Sequence, residues 1–435
     1  MRLARLVGEV STGSTRGSSL SRPHRRSALV LLISAALLLA GATPAHADSI
    51  RDREYWLASY GIQKAWATTK GKGVTIAIID TGVDGTHPDL AGAVVGGADF
   101  SGLGAKNGQQ PVGTEGASHG TMVAALAAGR GQGSSGVIGA APAASILAIS
   151  LGFGEDTPDS DEQIAKAVKW AVDNGADVIN MSLTRNTLDW PTSWDEAFLY
   201  AMEHDVVVVA AAGNRGSGTT QVGAPATMPG VLTVGGLDRN GEASWNASSQ
   251  GITIGVTAPA EQLVGAVPGG GYVLWDGTSG ATPIVAGIAA LVRAKYPDLD
   301  AANVINRIVA TAKDAGKAGN DPIYGFGKVD AAAAVSAKVP AVTANPMGDL
   351  TDWIRVHRRA DAPEPTSTAA PLPAPTETAA PPVTASGGGP LGTLLPTVAQ
   401  LRDTGIPLLV FFGFGAALVL AVVGLRRFGR VGRRE

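Results

Sequence analysis

Apolar and polar positions alternate through the middle of this chain in blocks that predict short buried strands separated by helices. Five runs rich in β-branched residues are apolar almost throughout, which is typical of strands covered on both faces. These runs are 74–80, 145–151, 177–183, 206–214 and 231–237. The helical patterns are "HGTMVAALAAG" from His119, "DEQIAKAVKWAVDNG" from Asp161, "SWDEAFLYAMEHD", the run from Ala281 to Leu291, and "AANVINRIVATA". This alternation predicts an α/β fold: a doubly wound, mostly parallel sheet with helices on both faces.

The N-terminal end has the order of a secretory signal. Three arginines precede the apolar run 28–42, and small residues follow it in "ATPAHAD". A basic region, an apolar region and a small-x-small site predict a signal peptide over 1–47, cut after Ala47. The segment 48–73 is predicted to be an N-terminal extension of the main domain, which covers 74–340.

The C-terminal end predicts a membrane anchor. Residues 406–425 carry no charge, and a helix of that length, at about 1.5 Å per residue, spans about 30 Å, the thickness of a bilayer core. Five arginines follow within 426–435, and basic flanks favour the cytoplasmic side. We therefore expect a single-pass protein of the cell membrane, with the main domain extracellular and the C-terminus cytoplasmic. Residues 341–405, rich in Pro, Ala and Thr, are predicted to be a linker.

Composition narrows the classes of partner and cofactor. The chain has 435 residues, a formal charge of −3 and no cysteine. The main domain is long enough to bury a large core without disulfides. Basic residues form no cluster away from the two ends, so no nucleic-acid partner is expected. No loop offers a convincing run of oxygen ligands, so neither a metal nor another cofactor is expected.

Four side chains with complementary chemistry fall at predicted strand ends or helix starts. Asp80 ends the first strand, Asn214 ends the fourth, and His119 and Ser279 each open a helix. In a doubly wound sheet the working site lies beyond the carboxyl ends of the strands. Serine needs a base to become a nucleophile, histidine can be that base near neutral pH, and a carboxylate fixes the imidazole tautomer. An amide can donate a hydrogen bond to the oxyanion that acyl transfer creates.

Ser279 taken alone has a plainer interpretation. In "WDGTSGATPIVAGIAAL" it lies between Gly277 and Gly280, whose missing side chains would let another molecule approach the backbone. Such a serine, beside free N–H groups at a helix start, is suited to attack a carbonyl. It is equally suited to be an N-cap, which is the commoner use. The joint presence of the four groups favours catalysis.

The blocks that carry these residues resemble those of the subtilisin-type serine proteases. "AIIDTGVDGTHPDL", "SHGTMVA", "NMSL", "AAAGN" and "DGTSGATPIVAG" follow one another in that family's order. The resemblance implies a subtilisin-like fold and a catalytic triad of Asp80, His119 and Ser279. It further implies that Asn214 supplies a donor to the oxyanion hole.

The same resemblance implies where a substrate would bind. Ser182 and Leu183 would pair with the substrate backbone as an added strand. Ala212 and Gly213 would line the pocket for the residue before the cut bond. The family usually has Gly where Thr184 stands, which is a departure at the rim of that pocket.

The order of segments resembles the mycosins, membrane-anchored subtilisin-like proteases associated with type VII secretion in actinobacteria. The stretch 48–73 is too short for the prodomain of secreted subtilisins and is similar to the mycosin extension, which lies against the catalytic domain. This implies a serine endopeptidase acting on protein or peptide substrates of type VII secretion, with the secretion membrane complex as a partner. One alternative is a scaffold that stabilises this complex. Another is a general surface protease, because "LRDTG" (401–405) resembles a sortase signal cut after Thr404.

Overall fold

The computed structural model describes residues 50–358 apart from 114–115, 134 and 155. Its strands are β1 (Thr75–Asp80), β2 (Val94–Asp99), β3 (Arg130–Gln132), β4 (Ser135–Ile138), β5 (Ser145–Ser150), β6 (Val178–Met181), β7 (Val207–Ala211), β8 (Leu232–Leu237), β9 (Ile254–Pro259), β10 (Leu263–Val267) and β11 (Gly271–Trp275). Its α-helices are α1 (Trp56–Ser59), α2 (Ile62–Ala65), α3 (His119–Ala128), α4 (Ser160–Asp173), α5 (Thr192–Glu203), α6 (Thr278–Lys295), α7 (Ala301–Ala310), α8 (Ala331–Ser336) and α9 (Leu350–His357).

Seven strands of the described region form one sheet in the order β2–β5–β1–β6–β7–β8–β9. Each neighbouring pair in it is parallel, as the sequence pattern predicts. The chain places β5 on one side of β1 and β6 on the other, so the sheet changes its direction of winding at β1. Open α/β sheets bind ligands outside the carboxyl ends of the strands at such a switch point. Asp80, the last residue of β1, lies at that point.

Helices cover both faces of the sheet, and β1 shows how the sequence achieves this. Ile76 and Ile78 face a core that includes apolar residues of α3 and α6. Ala77 and Ile79 face a second core that includes apolar residues of α4 and α5. Because successive strand residues point to opposite faces, a strand buried on both sides must be apolar throughout, and that is the pattern read from the sequence.

The helix that carries Ser279 is longer than its sequence pattern predicts. The pattern begins at Ala281, whereas α6 begins at Thr278 and runs to Lys295. Pro283 therefore lies in the second turn rather than in the first, where a proline would cost nothing. The predicted and observed helix starts differ because a proline in the sequence indicates the first turn of a helix. In the structure, contacts of residues 278–280 with other parts of the chain keep the turn before Pro283 helical.

The described part of the N-terminal extension belongs to the main core. Trp56, Leu57 and Ile62 are fully or almost fully buried in the cluster that includes α3 and α6. Arg51 Nε also donates to Gly136 O at 3.0 Å, which fixes the extension to the β3–β4 hairpin. Residues on both sides of the predicted boundary at residue 73 therefore share one hydrophobic core.

The interval 341–405, predicted as a linker, contains a helix near its start, α9. Leu350 of α9 is buried in the core beside α5, and the rings of Trp190 and Trp353 lie 4.3 Å apart between centroids. Arg358 Nε donates to the carboxylate of Asp195 at 2.9 Å. These contacts extend the packed domain to the end of the described residues.

The sequence pattern does not predict β2, β9 or the hairpins β3–β4 and β10–β11. The two sheet strands that were not predicted, β2 and β9, contain Gly, Thr and Pro and few large apolar residues. Their sequence signal for a strand is therefore weak, and pairing with neighbouring strands determines their conformation. No helix within residues 50–358, their gaps excepted, is both long and apolar enough to cross a membrane. The predicted signal peptide, the Pro-rich stretch, the span 406–425 and the basic tail lie outside the described residues.

Candidate active site

Asp80 lies at the carboxyl end of β1, where several hydrogen bonds hold its side chain in place. Its side chain is buried, and one carboxylate oxygen accepts from Thr81 N at 2.7 Å. Thr81 Oγ1 donates to Gly116 O at 3.0 Å and accepts from Gly120 N at 3.2 Å, which ties β1 to the start of α3. The two oxygens of Asp80 lie 2.8 and 2.9 Å from Nδ1 of His119. The carboxylate therefore orients the imidazole.

One ring nitrogen of His119, Nε2, has no hydrogen-bond partner among the described residues. An ionised carboxylate only accepts hydrogen bonds, so Nδ1 is the donor to Asp80 and Nε2 keeps its lone pair. The ring of Trp275 stands edge-on to the imidazole, 5.7 Å away between centroids. Burial opposes the charged form of His119, but the negative charge of Asp80 and the hydrogen bond to it prevail, so the pKa of His119 lies above its ordinary value.

Ser279, the second residue of α6, exchanges hydrogen bonds with Ser182. Ser279 Oγ donates to Ser182 O at 3.2 Å, and Ser182 Oγ donates to Ser279 O at 2.8 Å. Pro283 leaves Ser279 O available, because proline has no N–H to offer the carbonyl four residues before it. Among the described residues no hydrogen bond joins Ser279 Oγ to His119. Such bonds are often long in a site without substrate and tighten in the complex.

Asn214 follows β7 and is held against the start of α6. Its Oδ1 accepts from Thr278 N at 2.8 Å and from Thr278 Oγ1 at 2.9 Å, and that hydroxyl accepts from Gly213 N at 3.1 Å. Since Oδ1 is engaged, the NH2 group of the amide is the end available to a ligand. Within the described part of the chain neither Asn214 Nδ2 nor the N–H of Ser279 has an acceptor. Two such donors, one on Ser279 itself and one on a side chain held against Thr278, are the kind of groups that an oxyanion hole needs.

The four residues expected to contact substrate lie on two segments beside Ser279. Ser182 and Leu183 directly follow β6, and Leu183 packs partly against the core that includes α4 and α5. Ala212 is fully buried, so its side chain belongs to the core and only its backbone can line a pocket. Gly213 has φ +99°, and a Cβ there would lie 2.6 Å from Thr219 Cγ2, so only glycine fits.

Thr184 stands where the resemblance predicts glycine. Its Oγ1 donates to Arg185 O at 2.9 Å. A Cβ placed on Gly223 would lie 1.8 Å from Arg185 O and 2.7 Å from Thr184 Oγ1. Segment 184–185 and Gly223 are therefore packed so closely that the threonine is accommodated only because residue 223 has no side chain.

Sequence reasoning missed three residues at this site. Thr278 positions Asn214, and its place beside Ser279 in "DGTSG" was an available signal. Trp275 stands against His119, but a single aromatic residue in a hairpin carries no sequence signal. Arg215 follows Asn214 and places its guanidinium over the ring of Trp245, 4.1 Å from the centroid. That contact joins two loops and is visible only in the folded chain.

Fold and site together define a class of protein. A parallel α/β sheet carries a buried carboxylate and a histidine at its switch point. A serine lies at a helix start beside two donors that have no acceptor in the described part of the chain. This combination is that of a subtilisin-like serine protease.

Comparison with known proteins gives the same class. The model of the subtilase family, Peptidase_S8, matches residues 71–327, so the chain belongs to that family. Subtilisin DY of Bacillus licheniformis is 39% identical over 269 residues, which are 61% of this chain and 92% of that subtilisin. Fervidolysin of Fervidobacterium pennivorans is 35% identical over 318 residues, which are 66% of this chain and 44% of fervidolysin. The matched region thus spans less than half the length of fervidolysin.

Solved structures of mycosins are also similar to this chain. MycP1 with its N-terminal propeptide removed matches with a TM-score of 0.57 and 34% identity, covering 66% of this chain and 98% of that one. MycP3, a protease from the type VII (ESX-3) secretion system, matches with a TM-score of 0.57 and 32% identity, covering 66% of this chain and 88% of that one.

Proposed function

We propose that this chain is a membrane-anchored, extracytoplasmic serine endopeptidase in which Asp80, His119 and Ser279 form the catalytic triad. The observation that carries the proposal is the arrangement of a buried carboxylate on His119 Nδ1, with Ser279 at the same sheet edge. Two N–H donors that have no acceptor within residues 50–358, their gaps excepted, lie there as well. Peptide hydrolysis by a serine needs these groups and no metal or organic cofactor.

The first half of the reaction forms an acyl-enzyme. Ser279 Oγ attacks the peptide carbonyl carbon while His119 Nε2 takes the hydroxyl proton. Asp80 stabilises the imidazolium, and the carbonyl oxygen, now an oxyanion, accepts from Asn214 Nδ2 and Ser279 N–H. When the intermediate collapses, the C–N bond breaks and the imidazolium gives its proton to the leaving amine.

The second half repeats these steps with water. Water gives a proton to His119 Nε2 and its oxygen attacks the acyl carbon, through an oxyanion held by the same two donors. The ester bond to Ser279 Oγ then breaks, and the imidazolium returns the proton to Oγ. Ser182 O accepts from Ser279 Oγ in the free protein. When Oγ turns toward His119 and the substrate, Ser182 O must accept a hydrogen bond from the substrate backbone or from water instead.

Labelling with a fluorophosphonate probe tests this proposal. The full chain should become labelled, and Ser279→Ala should abolish labelling. Ser193→Ala, an exposed serine on α5, is the matched control and should be labelled like the wild type. A folded wild-type chain that stays unlabelled, or a Ser279→Ala chain that still reacts, would refute the assigned nucleophile.

We further propose that the domain is held outside the cell membrane by residues 406–425 and acts on type VII secretion substrates. Support comes from the uncharged run with its arginine tail and from the similarity to MycP1 and MycP3. Intact mass of the chain extracted from envelopes tests the anchor: the arginine tail should be present. A mass ending at Thr404 would instead establish sortase processing.

A secretion role and a scaffold role separate genetically. Cleavage of a secretion substrate should stop in Ser279→Ala cells, while assembly of the membrane complex should persist there. Deletion of the whole gene should remove both if the domain also acts as a scaffold. If the purified chain is labelled through Ser279 but secretion substrates are still processed in Ser279→Ala cells, the chain is a protease that acts on other substrates.

A further inference from the structure

A small cavity with a basic lining lies between the N-terminal extension and the turn that follows β8. Its volume is about 230 Å³, which is below the range of pockets for drug-sized molecules, so it admits only a small group. Among the described residues that line it, Arg239, Lys313 and Lys328 are cations and none is acidic. None of its lining residues belongs to the candidate active site.

The two lysines of this cavity lie opposite each other in an antiparallel bridge. Lys313 N donates to Lys328 O at 2.8 Å, and Lys328 N donates to Lys313 O at 2.8 Å. Like charges directly opposite one another in such a pair are destabilising. Asp330 pairs with Lys313 Nζ at 2.8 Å, whereas Lys328 has no carboxylate partner within the described ranges. An anion in the cavity would therefore relieve a repulsion that the protein leaves uncompensated.

Arg239 adds a second cation without a carboxylate partner. Its guanidinium lies over the ring of Tyr55, 5.0 Å from the centroid, and Nη1 donates to Gln262 Oε1 at 3.3 Å. These neutral contacts hold the side chain in place but leave its charge uncompensated in the part of the chain that the structure describes. Arginine stays charged at any physiological pH.

The carboxylates near this cavity are engaged elsewhere. Asp238 Oδ1 accepts from Asn240 N and Glu242 N, each at 2.8 Å, within its own turn. Asp330 Oδ1 accepts from Ala333 N at 3.0 Å at the start of α8, while its other oxygen holds the neighbouring lysine. Neither aspartate lines the cavity.

Tyr60, which directly follows α1, places a hydroxyl in the same space. The residue is only 7% exposed, yet its hydroxyl has no hydrogen-bond partner among residues 50–358, their gaps excepted. A Cβ placed on Gly241 would lie 3.5 Å from this hydroxyl and 3.4 Å from Lys328 Nζ, so both atoms border one small space. Burial, with the charge of Asp238 adding to it, raises the pKa of Tyr60 to about 12. The hydroxyl therefore keeps its proton and can donate it to a ligand oxygen.

We propose that this cavity binds a phosphate group, with Lys328 and Arg239 as its counter-charges and the Tyr60 hydroxyl as a neutral donor. A phosphate monoester carries close to two negative charges at neutral pH and presents three acceptor oxygens, which matches two uncompensated cations and one hydroxyl. A carboxylate carries one charge and would leave one cation uncompensated. Inorganic phosphate and the terminal phosphate of a lipid headgroup present the same chemistry.

A phosphate bound there would connect the N-terminal extension, through Tyr60, to the turn after β8. Because it would bind the folded chain alone, it would stabilise the domain. The inference is independent of the proposed function, since neither Ser279 nor His119 takes part in it.

Calorimetric titration of the full chain with inorganic phosphate, at constant ionic strength, tests this proposal. One phosphate per chain should bind, and the midpoint of thermal unfolding should rise with phosphate concentration. Lys328→Gln should weaken binding about tenfold, as expected for the loss of one charge-assisted hydrogen bond. Tyr60→Phe keeps the ring in the core and should weaken binding about fivefold.

A second titration with dihexanoyl phosphatidic acid, a soluble lipid with a terminal phosphate, distinguishes the two sources. Binding about tenfold tighter than that of inorganic phosphate, and lost in Lys328→Gln, would assign the cavity to a lipid headgroup. Equal or weaker binding would assign it to free phosphate.

Lys295→Gln is the matched control, because Lys295 Nζ lies 5.9 Å from the centroid of the Tyr296 ring, as Lys328 Nζ does from that of Tyr324, but does not line the cavity. It should bind phosphate like the wild type. Absence of saturable binding of both compounds to the wild type would overturn the proposal. So would binding that is unchanged in Lys328→Gln, or a loss in Lys295→Gln as large as that in Lys328→Gln. Fluorophosphonate labelling at Ser279 is a separate measurement, so failure of the phosphate site would leave the proposed function standing.

Discussion

Replacing Asp80 by asparagine tests how the carboxylate controls His119. The wild-type carboxylate lies 2.8 and 2.9 Å from Nδ1 and is almost fully buried. An asparagine of the same shape keeps the packing but removes the charge. It can also present its NH2 group to Nδ1, which would then accept, and Nε2 would carry the proton. The imidazole would no longer be a base toward Ser279.

The size of the loss follows from this geometry. Two opposite unit charges about 4 Å apart interact by about 4 kcal/mol at an effective dielectric constant of about 20. That is about a thousandfold in the stability of the imidazolium that forms during attack. The wrong tautomer adds to the loss, so we expect kcat/KM to fall about 10⁴-fold, as the same exchange does in another serine protease.

The assay is kcat/KM on a fluorogenic peptide from pH 5 to pH 10, with thermal unfolding measured beside it. Activity should rise as His119 loses its proton, with an inflection above the ordinary pKa of 6.5 in the wild type. Asp80→Asn removes what raises this pKa and leaves the burial that lowers it, so the residual activity should have a lower inflection. A loss under tenfold, or an inflection that does not fall, would refute the reasoning.

The same pair gives stability a pH dependence of known sign. Because the pKa of His119 is raised in the folded protein, the pair of imidazolium and carboxylate stabilises the fold most below the unfolded pKa. This contribution is lost as pH rises through the folded pKa. The difference in unfolding free energy between the wild type and Asp80→Asn should therefore narrow from pH 5 toward pH 9. A difference that widens over this range would contradict the sign.

Three further substitutions probe the oxyanion hole and the core. Asn214→Ala should lower kcat by about 10²–10³ with little change in KM, the size measured for such a donor in a subtilisin, and steady-state kinetics on the folded variant would check it. Gly277→Ala should destabilise the chain by about 1–3 kcal/mol, because residue 277 has φ +144°. It should also slow probe labelling, because the new Cβ would lie 3.0 Å from Asn214 Nδ2 and displace it. An unchanged labelling rate would argue against Asn214 Nδ2 as a donor to the oxyanion. Trp56→Ala should cost about 3–5 kcal/mol in urea unfolding, whereas a loss under 1 kcal/mol would mean that the N-terminal extension is not part of the core.

The sequence by itself predicted five of the seven strands of the central sheet and the four chemical groups of the candidate site. The five apolar runs correspond to β1, β5, β6, β7 and β8 within a residue or a few at each end, because a strand buried on both faces leaves a continuous local signal. Asp80, His119, Asn214 and Ser279 were identified as candidates for a similar reason. Each lies in a short block whose residue types and order are specific.

Only the tertiary structure decided the features that depend on contacts between distant parts of the chain. The start of α6 is an example. Pro283 predicts a helix beginning later, but Ser182 Oγ takes up the carbonyl that the proline leaves open, and the turn containing Ser279 stays helical. The burial of Trp56 and the packing of α9 likewise depend on partners far along the chain.

Arg215 shows the same limit at the site itself. In the sequence it is one arginine in a glycine-rich turn, with no charge pattern around it. Folding places Trp245 under it and no carboxylate of the described region beside it. Local sequence encodes the conformation of a segment and the chemistry that it carries, whereas which groups meet, and which remain without a partner, is set by how the segments pack.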